Sequence, residues 1–144
     1  MKILVINGPN LNMLGIREPE IYGKKTYADL CEVIKAKADS IGADVEIFQS
    51  NHEGCLVDRI QEAYGNVHGI VINPAAYTHT SVALLDAVKA VGIPTVEVHI
   101  SNPDEREDFR KVSYIRSACI ATVAGMGFEG YCKAMDIIAN IVGD

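Results

Sequence analysis

Along this chain, short apolar runs closed by turn residues alternate with longer stretches whose apolar residues return every three or four positions. Strand-length runs occupy Lys2–Asn7, Asp44–Gln49, Gly69–Asn73, Thr95–His99 and residues 120–124. Between them, Tyr27, Leu30, Cys31, Ile34, Ala38 and Ile41 form one helical stripe, with Thr26 as its cap and Gly42 as its stop. Leu56, Ile60, Ala63 and Tyr64 form a second, ending at Gly65. Leu84, Leu85, Val88 and Val91 form a third, ending at Gly92, and Tyr131, Ala134, Met135, Ile138 and Ile141 form a fourth. Strands joined through helices run parallel, because each crossover returns the chain to the same end of the sheet. A parallel sheet is covered on both faces.

The pattern therefore predicts one α/β domain over residues 1–144, a flavodoxin-like three-layer sandwich. Right-handed crossovers favour a five-stranded parallel sheet in the order 2-1-3-4-5. Two connections exceed the ~2–6 residues usual for such loops. Segment 8–25 holds Gly8, Pro9, Gly15, Pro19 and Gly23 and reads as an ordered but movable lid. Segment 100–117 carries Arg106, Arg110 and Arg116. Long loops in compact domains are usually functional.

Composition narrows the chemistry. The formal net charge of −6 argues against a nucleic-acid surface. No apolar run reaches the ~18–20 residues of a membrane span. Residues 1–6 read as a first strand rather than a signal peptide, so a cytoplasmic location is expected. Cys31, Cys55, Cys119 and Cys132 show no C-x-x-C spacing and are expected to be buried free thiols. There is no phosphate-binding P-loop, no strand-linked G-x-G-x-x-G and no H-E-x-x-H, so nothing calls for a nucleotide, a cofactor or a metal.

Ligands of an open parallel sheet bind beyond the carboxyl ends of the strands. That edge collects Asn7 and Asn10 after the first strand, with Arg17 and Tyr22 on the lid. Asn73 and the run from Tyr77 to Ser81, including His79, follow the third strand. Glu97 and His99 end the fourth, and Ile100, Ser101, Arg106 and Arg110 follow. Glu97 and His99 are two apart on a strand and share a face, so the carboxylate can fix the imidazole tautomer and favour its protonated form, which suits a general acid. His79 either caps the helix near Ser81 or binds a substrate group; His52 and His68 read as structural. A tyrosine serves as a base near neutral pH only when its phenolate is stabilised, which the Arg17 guanidinium can do for Tyr22. Arg17, Arg106 and Arg110 give an acidic protein a local positive rim, pointing to a small anionic substrate. A serine hydrolase built on Ser81, His99 and Glu97 is disfavoured because Ser81 lies in no G-x-S-x-G turn. In a flavin- or phosphate-binding module the tyrosine–arginine lid would have no purpose.

The assembled motifs resemble the type II 3-dehydroquinate dehydratases. They are Asn7-Gly8-Pro9-Asn10-Leu11-Asn12, the lid run from Gly15 to Gly23, Asn73-Pro74-Ala75-Ala76-Tyr77-Thr78-His79-Thr80-Ser81, Glu97-Val98-His99-Ile100-Ser101-Asn102, and Arg106-Glu107-Asp108-Phe109-Arg110. They stand in family order at every strand end. The resemblance implies trans elimination of water from 3-dehydroquinate through an enolate, giving 3-dehydroshikimate without metal or cofactor. It implies Tyr22 as proton acceptor, Arg17 as transition-state stabiliser, Asn10 as holder of an enolate-stabilising water, and His99, oriented by Glu97, as proton donor. It implies Asn73, His79 and Arg110 as ligands of substrate hydroxyls, with the N–H groups of Ile100 and Ser101 holding the carboxylate. Asp86 is expected to reach the active site of a neighbouring subunit in a dodecamer of four trimers. Arg106 joins the substrate-binding set.

Overall fold

The computed structural model describes residues 1–16, 20 and 24–143. Five strands, β1 (Lys2–Asn7), β2 (Asp44–Gln49), β3 (Gly69–Asn73), β4 (Thr95–His99) and β5 (Ala121–Ala124), form one parallel sheet in the order β2-β1-β3-β4-β5. The helices between and after them are α1 (Tyr27–Ser40), α2 (Glu53–Glu62), α3 (Val82–Val91) and α4 (Glu129–Val142). This is the sandwich and strand order expected from the alternation.

Local chemistry explains the helix ends. Thr26 accepts from the Asp29 N–H at 3.2 Å while the Asp29 carboxylate accepts from the Thr26 N–H at 2.9 Å, a reciprocal capping box that opens α1. Ser81 caps α3 by accepting from the Leu84 N–H at 3.0 Å. Gly92 closes α3 in the left-handed conformation, φ 63°, which glycine adopts without a Cβ penalty.

The pleat sends alternate residues to opposite faces. Ile3, Val5, Val71, Val96, Val98 and Val123 face α1 and α4 and pack on Leu30, Ile34, Ala134, Met135 and Ile138. Leu4, Ile6, Ile70 and Ile72 face α2 and α3, against Leu56, Ile60, Leu84 and Val88. Besides the partly covered Cys31, three residues of the expected apolar stripes do not join these cores. Tyr64 is exposed because α2 ends at Glu62 and the chain has already turned. Ile141 lies in the last turn of α4 and is half exposed, and Leu85 is only partly covered because its neighbour Leu84 takes the inward position. The cysteines are all free, but Cys55 is exposed and the other three are only partly covered, so the expectation of buried thiols is corrected. Cys55 is on the outward side of α2, which turns Leu56 and Ile60 inward. Among the described residues no helix is long and apolar enough to cross a membrane.

Candidate active site

The same alternation divides the strand-end polar residues between the two faces. Asn7 and Asn73 continue the parity of Val5 and Val71, so they point toward α4 and meet Tyr131. The Tyr131 hydroxyl, fully buried, donates to Asn7 Oδ1 at 2.7 Å and accepts from Asn73 Nδ2 at 2.9 Å. Asn7 Nδ2 donates in turn to the Tyr27 hydroxyl at 3.3 Å, and Asn73 Oδ1 accepts from the Ala75 N–H at 3.1 Å. The last bond closes a turn that holds Ala75 at φ 54°, a left-handed value rare for a residue with a side chain. Burial pushes the Tyr131 phenol well above the ordinary tyrosine range and raises Tyr27 to about 12, so both are fixed hydroxyl partners rather than bases.

Glu97 and His99 have the opposite parity and face the side of α2 and α3. The Glu97 carboxylate is fully buried and His99 nearly so, with His99 Nε2 at 2.5 Å from Glu97 Oε2. Ser113 Oγ donates to Oε2 at 2.8 Å and Thr78 Oγ1 at 3.2 Å. Arg116 Nε donates to Oε1 at 3.1 Å and Arg116 Nη2 to Oε2 at 3.4 Å. Thr122, paired with Glu97 across the β4–β5 register, donates its hydroxyl to Oε1 at 3.2 Å. Burial alone would raise the Glu97 carboxyl, but the hydrogen bonds from His99, Arg116 and Ser113 outweigh it and bring its pKa down to about 2. The carboxylate is therefore ionised at neutral pH, with its acceptor sites filled.

Thr78, Ser113, Arg116 and Thr122 form this cage, and the sequence reading assigned none of them. Only Thr122 carried a usable signal, as the β5 residue that the expected strand pairing sets beside Glu97. The others come from turns 16 to 19 residues away along the chain.

Segment 100–117 is built from three short 3-10 turns, Pro103–Glu105, Asp108–Lys111 and Ile115–Ala118, rather than open loop. Val112, Ser113 and Tyr114 stitch it to the turn after β3. The Val112 carbonyl meets His79 Nδ1 at 2.6 Å, Ser113 Oγ lies 2.8 Å from Thr78 Oγ1, and the Tyr114 N–H donates to the Thr78 carbonyl at 2.9 Å. The contact with a carbonyl means that Nδ1 carries the ring proton, leaving His79 Nε2 as an acceptor. Burial lowers the His79 pKa and keeps the ring neutral. Of the two roles open to His79, helix capping falls away, because Ser81 supplies the α3 cap. Ser81 is buried in that role and does not line the cleft that His99 lines.

Asn10, Asn73, His79, His99, Ile100, Ser101, Arg106 and Arg110 all line one open cleft. Glu97 stands behind His99. Arg110 is steadied by Nε donating to Glu107 Oε2 at 2.5 Å. The carbonyls of Ile100 and Ser101 accept from the Gly127 and Gly125 N–H groups at 3.1 and 3.2 Å, which fixes the peptide planes at the cleft wall. Asp86 is exposed on α3 and does not line the cleft of its own chain. Arg17 and Tyr22, and most of the expected lid, lie outside the described residues. His68 accepts from the Lys2 N–H at 3.0 Å, a structural role, and His52 is exposed at the start of α2. Among the described residues no three His, Cys, Asp or Glu side chains gather as metal ligands.

A neutral imidazole acceptor, a carboxylate-backed imidazole, asparagine amides and an arginine rim suit a small polyhydroxylated anion. A family model described as "Dehydroquinase class II" matches residues 1–139. The 3-dehydroquinate dehydratase of Clostridium acetobutylicum is 55% identical over 142 residues, covering 99% of each chain. The enzyme of the same description from Corynebacterium glutamicum strain R is 58% identical over 140 residues, covering 97% of each. The crystal structure of type II dehydroquinase from Butyrivibrio crossotus superposes with a TM-score of 0.94 at 53% identity, covering 96% of this chain and 97% of that one.

Proposed function

Because this chain belongs to the class II dehydroquinase family, we propose that its strand-end cleft performs a trans elimination through an enolate, with His99 as the proton donor. The reaction is the dehydration of 3-dehydroquinate to 3-dehydroshikimate in the shikimate pathway to chorismate and the aromatic amino acids. The observation that carries the mechanism is the caged, ionised Glu97, which grips His99 Nε2 at 2.5 Å at the wall of the cleft.

In the proposed sequence the Tyr22 phenolate, stabilised by Arg17, takes the proton from the carbon next to the ketone. The electron pair moves onto the carbonyl oxygen as an enolate, and a water held by Asn10 stabilises that charge. When the enolate collapses, the C–O bond to the leaving hydroxyl breaks. His99 gives that oxygen a proton, so it departs as water and a conjugated enone remains. Glu97 Oε2 occupies Nε2, so the proton leaves from Nδ1. Glu97 sets the ring orientation and offsets the charge of the imidazolium. No metal or cofactor takes part.

The substrate is held on several sides. His79 Nε2 accepts from a substrate hydroxyl, Asn73 and Arg110 bind others, and the Ile100 and Ser101 N–H groups bind the carboxylate beside Arg106. Asn73 presents an amide already fixed from below by Tyr131, so its position costs little ordering when substrate arrives. Asp86 serves the cleft of a neighbouring subunit, within a dodecamer of four trimers. The whole chain acts as one catalytic domain in the cytoplasm.

The direct test is ultraviolet absorbance on mixing with 3-dehydroquinate, where enone formation gives a rising signal. His99→Ala should lower kcat by about 10²–10⁴ while substrate binding changes far less. A His99→Ala variant with near-parent kcat and weakened binding would reduce His99 to a substrate contact.

A further inference from the structure

Asn10 faces the cleft from an unusual backbone. Its φ is 70°, and it precedes the 3-10 turn Leu11–Met13 as an N-cap whose side chain makes no capping bond. A left-handed asparagine is tolerated but disfavoured, so neighbours must hold it.

The holding groups come from the end of β2, a strand that otherwise adds nothing to the cleft lining. The Asn10 N–H donates to Asn51 Oδ1 at 3.0 Å. Gln49 Nε2 donates to the same oxygen at 3.2 Å and to the Gly8 carbonyl at 3.1 Å, and approaches Asn12 Oδ1 at 3.3 Å. Two N–H donors converging on one atom identify it as the amide oxygen. The Asn51 main-chain carbonyl accepts from the Tyr77 hydroxyl at 2.8 Å. Tyr77 lies two residues before His79, in the turn Ala75–His79. Asn51 thus ties together the loops that follow β1, β2 and β3, although it is itself exposed.

We propose that Asn51 is a positioning residue for the dehydration: it clamps the Asn10 loop against the His79 turn and so sets where the Asn10 side chain stands in the cleft. This rests on the reading of Asn10 as part of the catalytic machinery. Only an acceptor is required of the Asn51 side chain, so aspartate can replace it and alanine cannot.

The test is steady-state kinetics and thermal unfolding of Asn51→Ala, Asn51→Asp, Asn10→Gly and the double variant Asn10→Gly/Asn51→Ala. Glycine at position 10 keeps the left-handed backbone and removes only the side chain. Asn51→Ala should lower kcat by about 10–10²-fold, the scale expected for misplacing a catalytic group by about 1 Å. Asn51→Asp should recover most of that kcat. The double variant should be no worse than Asn10→Gly, because two changes acting through one group are not additive. A merely structural role would lower the unfolding temperature and leave kcat per folded enzyme, the aspartate rescue and the non-additivity without a pattern. Parent-like kcat in Asn51→Ala, or fully additive losses, would overturn the proposal while the role of Asn10 stands. An Asn10→Gly enzyme with unimpaired kcat would instead refute the reading of Asn10, and the role of Asn51 would fall with it.

Discussion

Glu97→Gln changes one oxygen to an NH₂ group in the most crowded polar site among the described residues. Each carboxylate oxygen accepts at least two hydrogen bonds, and an amide nitrogen can accept none. Whichever way the amide is turned, donors meet a donor. With the nitrogen on the Oε1 side, Arg116 Nε and Thr122 lose their acceptor; with it on the Oε2 side, His99 and Ser113 do. Arg116 can swing outward, since its side chain is 41% exposed, so the loss is smaller than for a fully enclosed pair. The linkage gives the scale. A carboxyl that ionises at about 2 rather than its ordinary 4.5 contributes about 3 kcal/mol to folding at neutral pH. Because the folded value is depressed, that contribution is complete above pH 4.5 and is lost as the pH falls toward about 2. Urea unfolding at fixed protein concentration, at neutral pH and again near the folded pKa, is the assay. The parent should lose stability across that acidic window. Glu97→Gln should be weaker at neutral pH by roughly 2–4 kcal/mol and lack the corresponding acid-dependent loss. Its kcat should also fall by about 10²-fold or more, because His99 loses its orienting partner. A Glu97→Gln enzyme matching the parent in stability at both pH values would refute the view that the caged charge is what holds this site together.

The lid pair gives the sharpest test of the chemistry: Tyr22→Phe should abolish turnover with the fold intact, and Arg17→Lys should retain more kcat/KM than Arg17→Ala, since lysine keeps the charge but not the planar fork. Tyr131→Phe strands the amides of Asn7 and Asn73, and should lower stability by about 1–3 kcal/mol for each buried group left unpaired. It should also raise KM more than it lowers kcat, as read by chemical unfolding and steady-state kinetics. Asp86→Ala should raise KM in the assembled enzyme, and light scattering should show a large oligomer; a fully active monomer would remove Asp86 from the site.

Periodicity made the architecture readable because a parallel sheet with helices on both faces repeats one local pattern, apolar run, turn, apolar stripe, turn. The strand ends were readable for the same reason: once the strands are placed, the position of Asn10, Asn73, His79 and His99 on one edge follows from topology. The support behind those residues was not readable. Tyr131 reaches Asn7 across 124 residues of chain, and Arg116 reaches Glu97 across 19. No local spacing announces such a bond, because it depends on register and on which way a turn folds back. Thr26 could be named as a cap from its place before Tyr27, and its partner Asp29 was equally legible three residues on, where capping boxes place an acid or amide. Tyr64 and Ile141 misled because helical spacing continues past the point where a helix stops or outruns the sheet it covers.

The parity of the strands explains why this cleft can be polar without loosening the cores beneath it. Asn7 and Asn73 stand on the α1 and α4 side and are satisfied by Tyr131, whereas Glu97 and His99 stand on the α2 and α3 side and are satisfied by Thr78, Ser113, Arg116 and Thr122. Asn7 and Asn73 extend their strands by one step in the pleat beyond Val5 and Val71, whereas Glu97 and His99 follow Thr95 on the opposite face of β4, and each set has its own hydrogen-bonding partners. Among the described residues every buried side-chain nitrogen and oxygen has a partner, so these polar groups do not carry the desolvation penalty that an unpaired one would. Both sets converge only where the strands end and the sheet no longer separates its faces. His99 and the Asn73 amide therefore face one cleft while drawing their rigidity from two separate cores. That independence lets Glu97 and Tyr131, both fully buried, support different parts of the proposed reaction, the first the proposed proton donor His99 and the second the proposed substrate ligand Asn73.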